Sequence, residues 1–394
     1  MRRLVMSLAA LSLVVAGCGD GNTATSSDDP IRVGQIVSLT GNYSPLGGEN
    51  KKSVELAVEK VNRDGGVLGG RKLELVVKDD KSQPDQSVLA FNDLRGDDVS
   101  AVIGSPFSNS ALATIPSVDR AKIPYLSLTP ADEQVKPLHP YVFVVPALAS
   151  LYGERILQYF KATGVSTVAV AHDTKSSYAV AGFKGMQDKA AKYGVKIVAS
   201  EEFQTDATEF GAVIGHVRSS GAQAFVVWAT GAPAVALTKQ YATAGVNVPL
   251  VLTGAQASKL FLDPVGAAAE GVTVASSIGL VGPELPDGEQ KNAISELTTS
   301  FEKKYGYPPP QFAQDGYSGV KLLVAAIEKA GSADPEKIRD ALEGLSLVTP
   351  NGKYAYGKDN HAGLGPEFIA ITKVTQGAFK PTEWASKQLA ELGS

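Results

Sequence analysis

Short apolar runs alternate with segments of helical period along almost the whole chain. Ile31–Val37, Leu73–Val77, Ala101–Gly104 and Ile123–Leu128 read as strands, and between the first two Val54, Ala57, Val58 and Val61 mark one face of a helix. The pattern resumes with Val168–Ala171, Val195–Ala199, Ala224–Trp228, Leu250–Leu252 and Val272–Ala275. These runs are apolar on both faces instead of alternating, as in parallel strands covered by helices on each side. An α/β fold of two βαβ sheets with right-handed crossovers is therefore expected. Between the two groups, Thr129 to Pro146 contains Pro130, Pro137, Pro140 and Pro146 with little helical period, which predicts a first crossing between two lobes. The C-terminal third turns helical: Ile294, Leu297 and Phe301 share one face, and Val320, Leu323, Val324 and Ile327 share another. A third helix is announced by Asp334 as its cap and Pro335 in its first turn, ahead of Ile338, Ala341, Leu342 and Leu345. Lys353–Tyr356 and Phe368–Val374 are the last strand candidates.

The N-terminal pattern is different. Met1-Arg2-Arg3 leads into an apolar run from Leu4 to Ala16, then Gly17-Cys18 and a polar stretch. This reads as a secretory signal over residues 1–17. The run is too short for a spanning helix, which needs roughly 20 residues. The small residues before Cys18 resemble a bacterial lipobox, which implies cleavage before Cys18, lipidation of it, and a membrane anchor. Cys18 is the only cysteine, so no disulfide framework exists. Residues 18–30, rich in Gly, Asn, Ser, Thr and Asp, read as a flexible tether. The length that remains exceeds what one core usually organises, so two domains are expected.

Charge and motif content narrow the function. The chain has 37 Lys+Arg against 41 Asp+Glu; without Arg2 and Arg3 the count is 35 against 41, a net charge of −6 with no basic block. Nucleic acid is not an expected partner. His139, His172, His216 and His361 lack metal-ligand spacing, so no metal site is expected. Gly65-Gly66-Val67-Leu68-Gly69-Gly70 precedes a strand, whereas a dinucleotide fingerprint must follow one, so it reads as a turn. No phosphate loop and no nucleophile elbow appear. Neither a catalytic residue nor a cofactor is predicted. His172-Asp173, at a strand end, reads as a loop pair lining a cleft or facing solvent.

Leu39-Thr40-Gly41, Leu46-Gly47, Ala57-Val58-Glu59-Lys60-Val61-Asn62, Gly65-Gly66-Val67-Leu68-Gly69-Gly70-Arg71-Lys72-Leu73-Glu74-Leu75 and Asp79-Asp80 together resemble the periplasmic leucine/isoleucine/valine-binding family of ABC-importer receptors. The likeness continues through Ile103-Gly104-Ser105, Ile123-Pro124, Tyr178, Asp315-Gly316-Tyr317, Ala325-Ala326-Ile327-Glu328-Lys329-Ala330-Gly331 and Asn360-His361-Ala362-Gly363. It implies the type I periplasmic binding protein fold: two Rossmann-like lobes joined by a three-crossing hinge, with the ligand in the cleft. Lobe 1 would comprise residues 31–145 plus 277–352, and lobe 2 residues 146–276 plus 353–394. The expected protein is an extracytoplasmic monomer that carries a small carboxylate-bearing ligand, a branched-chain or other hydrophobic amino acid, to an ABC transporter permease. A ligand sensor on the same fold has the same clefts.

Ser105-Pro106-Phe107-Ser108-Asn109-Ser110 follows a strand and opens a helix, where amides, hydroxyls and the helix dipole favour a carboxylate. The resemblance places the carboxylate-binding serine at Ser108, with Asn109 beside it; capping by Ser108 or Ser110 is the structural alternative. It also points to Thr129 and Ala131, although a threonine is usual at the second place, and to Tyr178 from the other lobe. The acid expected to meet a ligand ammonium falls near Gly254, within Thr253-Gly254-Ala255-Gln256-Ala257-Ser258, where no carboxylate stands and Gln256 is the polar candidate. Asp173 could supply that charge, or the ligand could be an aromatic or aliphatic carboxylate without an ammonium. Tyr43, Phe107 and Trp228 are candidate walls for such a ligand.

Overall fold

The computed structural model describes residues 29–392. The signal, Cys18 and nearly all of the tether lie outside them. Lobe 1 opens with β1 (Ile31–Val37), α1 (Ser44–Arg63), β2 (Leu73–Asp79), α2 (Pro84–Gly96), β3 (Ala101–Gly104), α3 (Ser108–Ala121), β4 (Tyr125–Ser127) and β5 (Val142–Val144). The five strands form one sheet in the order β2-β1-β3-β4-β5, parallel throughout. The proline-rich stretch read as a crossing holds the edge strand β5. Pro130, Pro137 and Pro140 occupy the loop ahead of that strand and Pro146 follows it, so no ladder hydrogen bond is lost, and the chain leaves the lobe only at Val145–Leu148.

Lobe 2 follows with α4 (Ala149–Thr163), β6 (Thr167–Asp173), α5 (Ser177–Ala190), β7 (Lys196–Phe203), α6 (Gly211–Ser219), β8 (Ala224–Trp228), α7 (Ala232–Thr243), β9 (Leu250–Leu252), α8 (Lys259–Val265) and β10 (Thr273–Ser277). The chain then crosses back. Helices α9 (Glu289–Tyr305), α10 (Gln311–Ala330) and α11 (Pro335–Leu342) lead into a hairpin of β11 (Ser346–Thr349) and β12 (Gly352–Ala355). Helix α10 packs on α1, where the amide of Asn50 donates to the Phe312 carbonyl (2.7 Å). Finally β13 (Ile369–Thr375), β14 (Ala378–Pro381) and α12 (Glu383–Glu391) complete a seven-stranded sheet, β14-β13-β10-β9-β8-β6-β7, with β13 and β14 antiparallel. The segment 353–394 expected in lobe 2 thus begins with a strand paired to β11, and the sheet of lobe 2 resumes only at β13. Asp334 caps α11 by accepting from the Lys337 amide (3.0 Å).

The chain crosses between lobes three times, and the crossings are tied together. The Tyr354 hydroxyl donates to the Val145 carbonyl, the Tyr356 hydroxyl to the Val144 carbonyl (2.8 Å), and the Val144 amide to the His361 carbonyl (2.8 Å). At the middle crossing the Ser277 amide donates to Gln311 Oε1 (2.9 Å). In each sheet the strand order reverses beside one strand, next to β1 in lobe 1 and next to β6 in lobe 2. Loops diverge at such a switch point and open a crevice at the carboxyl ends of the strands.

Candidate ligand-binding site

Two aspartates at the end of β2 shape the lobe 1 rim. Asp79 accepts from the Leu39 amide (2.8 Å) and the Thr40 hydroxyl (2.8 Å), while Asp80 accepts from the hydroxyls of Ser38 (2.6 Å) and Ser105 (2.5 Å). One carboxylate therefore fixes the loop after β1 and the other ties that loop to the start of the segment leading to α3. Gly47 is required where α1 passes this loop, because a Cβ there would lie 1.9 Å from the Ser38 carbonyl oxygen. Both loops are thereby held at the mouth of the crevice.

A cavity lies there between the lobes. Lobe 1 contributes Tyr43, Leu46, Phe107, Ser108, Thr129 and, from α10, Gln311, Phe312 and Asp315; lobe 2 contributes Tyr152, Ser176, Tyr178, Thr230 and Ala255. About 40 Å³ of it admits the centre of a water molecule, room for roughly three waters, so the lobes stand close together. Tyr43 and Phe107 stack with centroids 4.2 Å apart and planes 18° apart, forming a flat apolar wall. The Tyr43 hydroxyl is pushed well above its ordinary range, first by burial and then by the charge of Asp173, and stays protonated.

At the carboxylate end, the hydroxyls of Ser108 and Thr129 are hydrogen-bonded to each other and both residues are buried. Helix α3 starts behind Phe107 with no side chain capping it. The capping alternative for Ser108 and Ser110 is not what the structure contains, and the amides of the first turn keep their donors. On the facing wall, the Tyr178 hydroxyl donates to Thr253 Oγ1 (2.6 Å), and the Tyr152 hydroxyl accepts from Gln311 Nε2 (2.8 Å). Burial holds both phenols neutral. Asp315 is the one residue with a formal charge among the described residues lining the cavity. It is 2% exposed, accepts from Asn351 Nδ2 (2.7 Å), and burial pushes its carboxyl up to about 8 against that hydrogen bond.

Five of the residues singled out in the sequence meet here: Tyr43, Phe107, Ser108, Thr129 and Tyr178. Four do not line the cavity. Asn109 reaches across the lobes, its Nδ2 donating to the Lys175 carbonyl (2.9 Å) and its Oδ1 accepting from the Ser177 amide (3.1 Å). Ala131 is fully buried and its carbonyl accepts from Gln134 (3.0 Å). Trp228 lies in the core of lobe 2 with its ring edge against Tyr178 (5.7 Å, 65°), over Gly182, where a Cβ would come within 2.1 Å of the indole. Gln256 is used locally, in a capping box with Thr253 and donating to the Ala229 carbonyl (2.9 Å). Asp173 is not on the cavity wall either; it accepts from the Thr205 hydroxyl (2.6 Å) and the Lys175 amide (2.9 Å). His172 is buried against Phe183, centroids 4.3 Å apart, and burial lowers its basicity.

The geometry is that of a cleft receptor, and comparison with known proteins agrees. A family model described as periplasmic binding protein matches residues 30–378. The chain belongs to the periplasmic binding protein family. This periplasmic binding protein is accordingly an extracytoplasmic solute-binding protein, not an enzyme. It is 27% identical over 368 residues to the leucine-, isoleucine-, valine-, threonine- and alanine-binding protein of Pseudomonas aeruginosa, covering 90% of this chain and 93% of that one. Its fold matches a substrate-binding protein of a branched-chain amino acid transporter from Streptococcus pneumoniae, solved with isoleucine (TM-score 0.77, 23% identity, 89% and 98% coverage). It also matches a solute-binding protein of Rhodopseudomonas palustris in complex with benzoate (TM-score 0.78, 20% identity, 89% and 95% coverage).

Sequence reasoning did not single out Tyr152, Gln311 and Asp315 as site residues. Gln311 and Asp315 lie on α10, more than 160 residues after β4, and reach the site only because α10 packs back on α1 after the second crossing. A signal was present for Asp315: at helical spacing it shares a face with Gly319, Leu322 and Ala326, a position where an acid demands a partner or a purpose. Gln311 and Tyr152 also account for the missing acid at Gly254. A Cβ at Gly254 would stand 2.6 Å from Gln311 Nε2 and 3.0 Å from Tyr152 Cε1, so their side chains occupy the room a carboxylate there would need.

Proposed function

We propose that this protein captures a small hydrophobic amino acid and presents it to an ABC transporter permease, anchored to the membrane through a lipidated Cys18. The observation that carries the ligand class is the buried Ser108–Thr129 hydroxyl pair at the uncapped start of α3. Two hydroxyls and the first-turn amides converge where a carboxylate gains charge-assisted hydrogen bonds, about 1.5–3 kcal/mol each, and the helix dipole adds to them. The stacked Tyr43–Phe107 wall suits an apolar side chain. A second reading, an aromatic or aliphatic carboxylate without an ammonium, draws on the same flat wall and on the glycine at 254. In either case the lobes, near residues 31–145 with 277–352 and 146–276 with 353–394, close as rigid bodies about the three crossings.

A thermal-shift screen of amino acids, keto acids and aromatic acids tests this, because a ligand of the folded state raises the melting temperature by mass action. Carboxylates of this size should give the shifts, and their neutral amides should not. Shifts confined to sugars or cations would sink the reading. For the anchor, Cys18→Ala should leave the protein unprocessed or released from the membrane fraction; unchanged incorporation of labelled lipid would exclude it.

A further inference from the structure

The cavity has a hydroxyl-and-amide end built for an anion, yet its one charged wall residue is also an acid. Asp315 sits in the second turn of α10 and lines the cavity. Only one of its oxygens, Oδ1, takes a hydrogen bond among the described residues, from Asn351. No cation faces it. From α1, Asn50, Ser53 and Val54 meet α10 at Gly316, and the nearby acid Glu49 is held by Lys52 and Tyr307. From α4 and β12 the titratable neighbours are Tyr152 and Tyr354, both kept protonated by burial. A buried carboxylate without a positive partner is costly, and a neutral side chain could accept from Asn351 equally well. A pure carboxylate ligand would give that carboxyl no positive partner and leave it in its protonated form. A ligand that also carries an ammonium group would instead balance it.

We propose that Asp315 is the counter-charge for a ligand ammonium group, so that the cleft selects amino acids over their deaminated counterparts. This rests on the carboxylate-receptor reading above and takes over the role left vacant at Gly254, from the opposite lobe. Because Gln311 and Tyr152 fill the space beside Gly254, the ammonium is directed toward α10. The proton bookkeeping gives the inference a signature. With the unliganded carboxyl pushed up to about 8 by burial, an ammonium binds only after that proton leaves, so affinity for an amino acid rises with pH toward 8.

The test is titration calorimetry of the parent and Asp315→Asn against amino acids paired with the deaminated acid of the same side chain, at pH 6, 7 and 8. The best-bound amino acid should weaken by about 10- to 150-fold in Asp315→Asn, while its deaminated partner binds the variant as well as or better than the parent. Affinity for the amino acid should climb by up to about tenfold per pH unit in the parent and stay flat in the variant. An amino acid bound equally by both proteins, or a parent that binds only deaminated acids, would overturn the role of Asp315 and leave the carboxylate receptor standing. A parent that binds neither class would overturn both.

Discussion

The two lobes present comparable helix starts to the cleft and finish them differently. In lobe 1, α3 follows β3 beside the switch strand and begins without any side-chain cap. In lobe 2, α5 follows the switch strand β6 itself, and Ser176 caps it by accepting from the Ala179 amide (3.4 Å). The neighbouring hydroxyls follow the same rule. Ser108 and Thr129 bond only to each other, whereas Tyr178 is already committed to Thr253 on its own lobe. A helix start satisfied by its own serine has little left to offer an anion; one left open, beside two hydroxyls, does. On the proposed reading, lobe 1 would carry recognition and lobe 2 would supply a pre-satisfied lid.

The largest expected effect that tests this contrast is at Ser108. Ser108→Ala should weaken binding of the cognate carboxylate by about 10- to 150-fold, one hydrogen bond to a charged group. Its melting temperature should fall by only a few degrees, since no cap is lost and only the Ser108–Thr129 hydrogen bond is broken; calorimetry and a thermal melt read the two quantities, and parental affinity would dissolve the contrast. Asn109→Ala comes next. It removes both inter-lobe hydrogen bonds to residues 175 and 177, at about 1 kcal/mol each, so closure and hence affinity should fall by about 5- to 30-fold. Small-angle scattering should show a more open unliganded ensemble, and profiles matching the parent would refute a clasp. The smallest effect is the mirror experiment on lobe 2: Ser176→Ala should cost about 1 kcal/mol of stability as a lost cap with less than about threefold change in affinity. A binding loss as large as that of Ser108→Ala would mean that both helix starts serve the ligand.

Much of this architecture was legible because burial is written locally. Strands β1, β3, β8 and β9 begin and end where their apolar runs do, and α11 starts at the Asp334-Pro335 signal. Short edge elements were harder: β5 hides among prolines, and β11 and β14 are only half-buried, so their side chains carry a weak pattern. At the site, the stretch from Ser105 to Ser110 could be read because it follows a strand and opens a helix, whereas Ser108 and Thr129 themselves were placed by the family resemblance. Trp228 follows the same logic, yet its ring turns into the core where Gly182 leaves room for it.

By itself, then, the sequence determined the βαβ order, the parallel strands, the carboxyl-end location of the cleft and the helix start proposed to meet an anion. These depend on periodicity and on spacing of a few residues. Only the tertiary structure decided which polar groups remain available. Gln256 is consumed by its neighbours, Asn109 is turned across the cleft to the other lobe, and Asp315 is carried to the cavity wall by α10 after two crossings. Whether a hydroxyl, amide or carboxylate faces a ligand depends on which partners surround it in three dimensions. Those partners lie as far as 159 residues away along the chain, as Gln311 and Tyr152 do, beyond the reach of any local pattern.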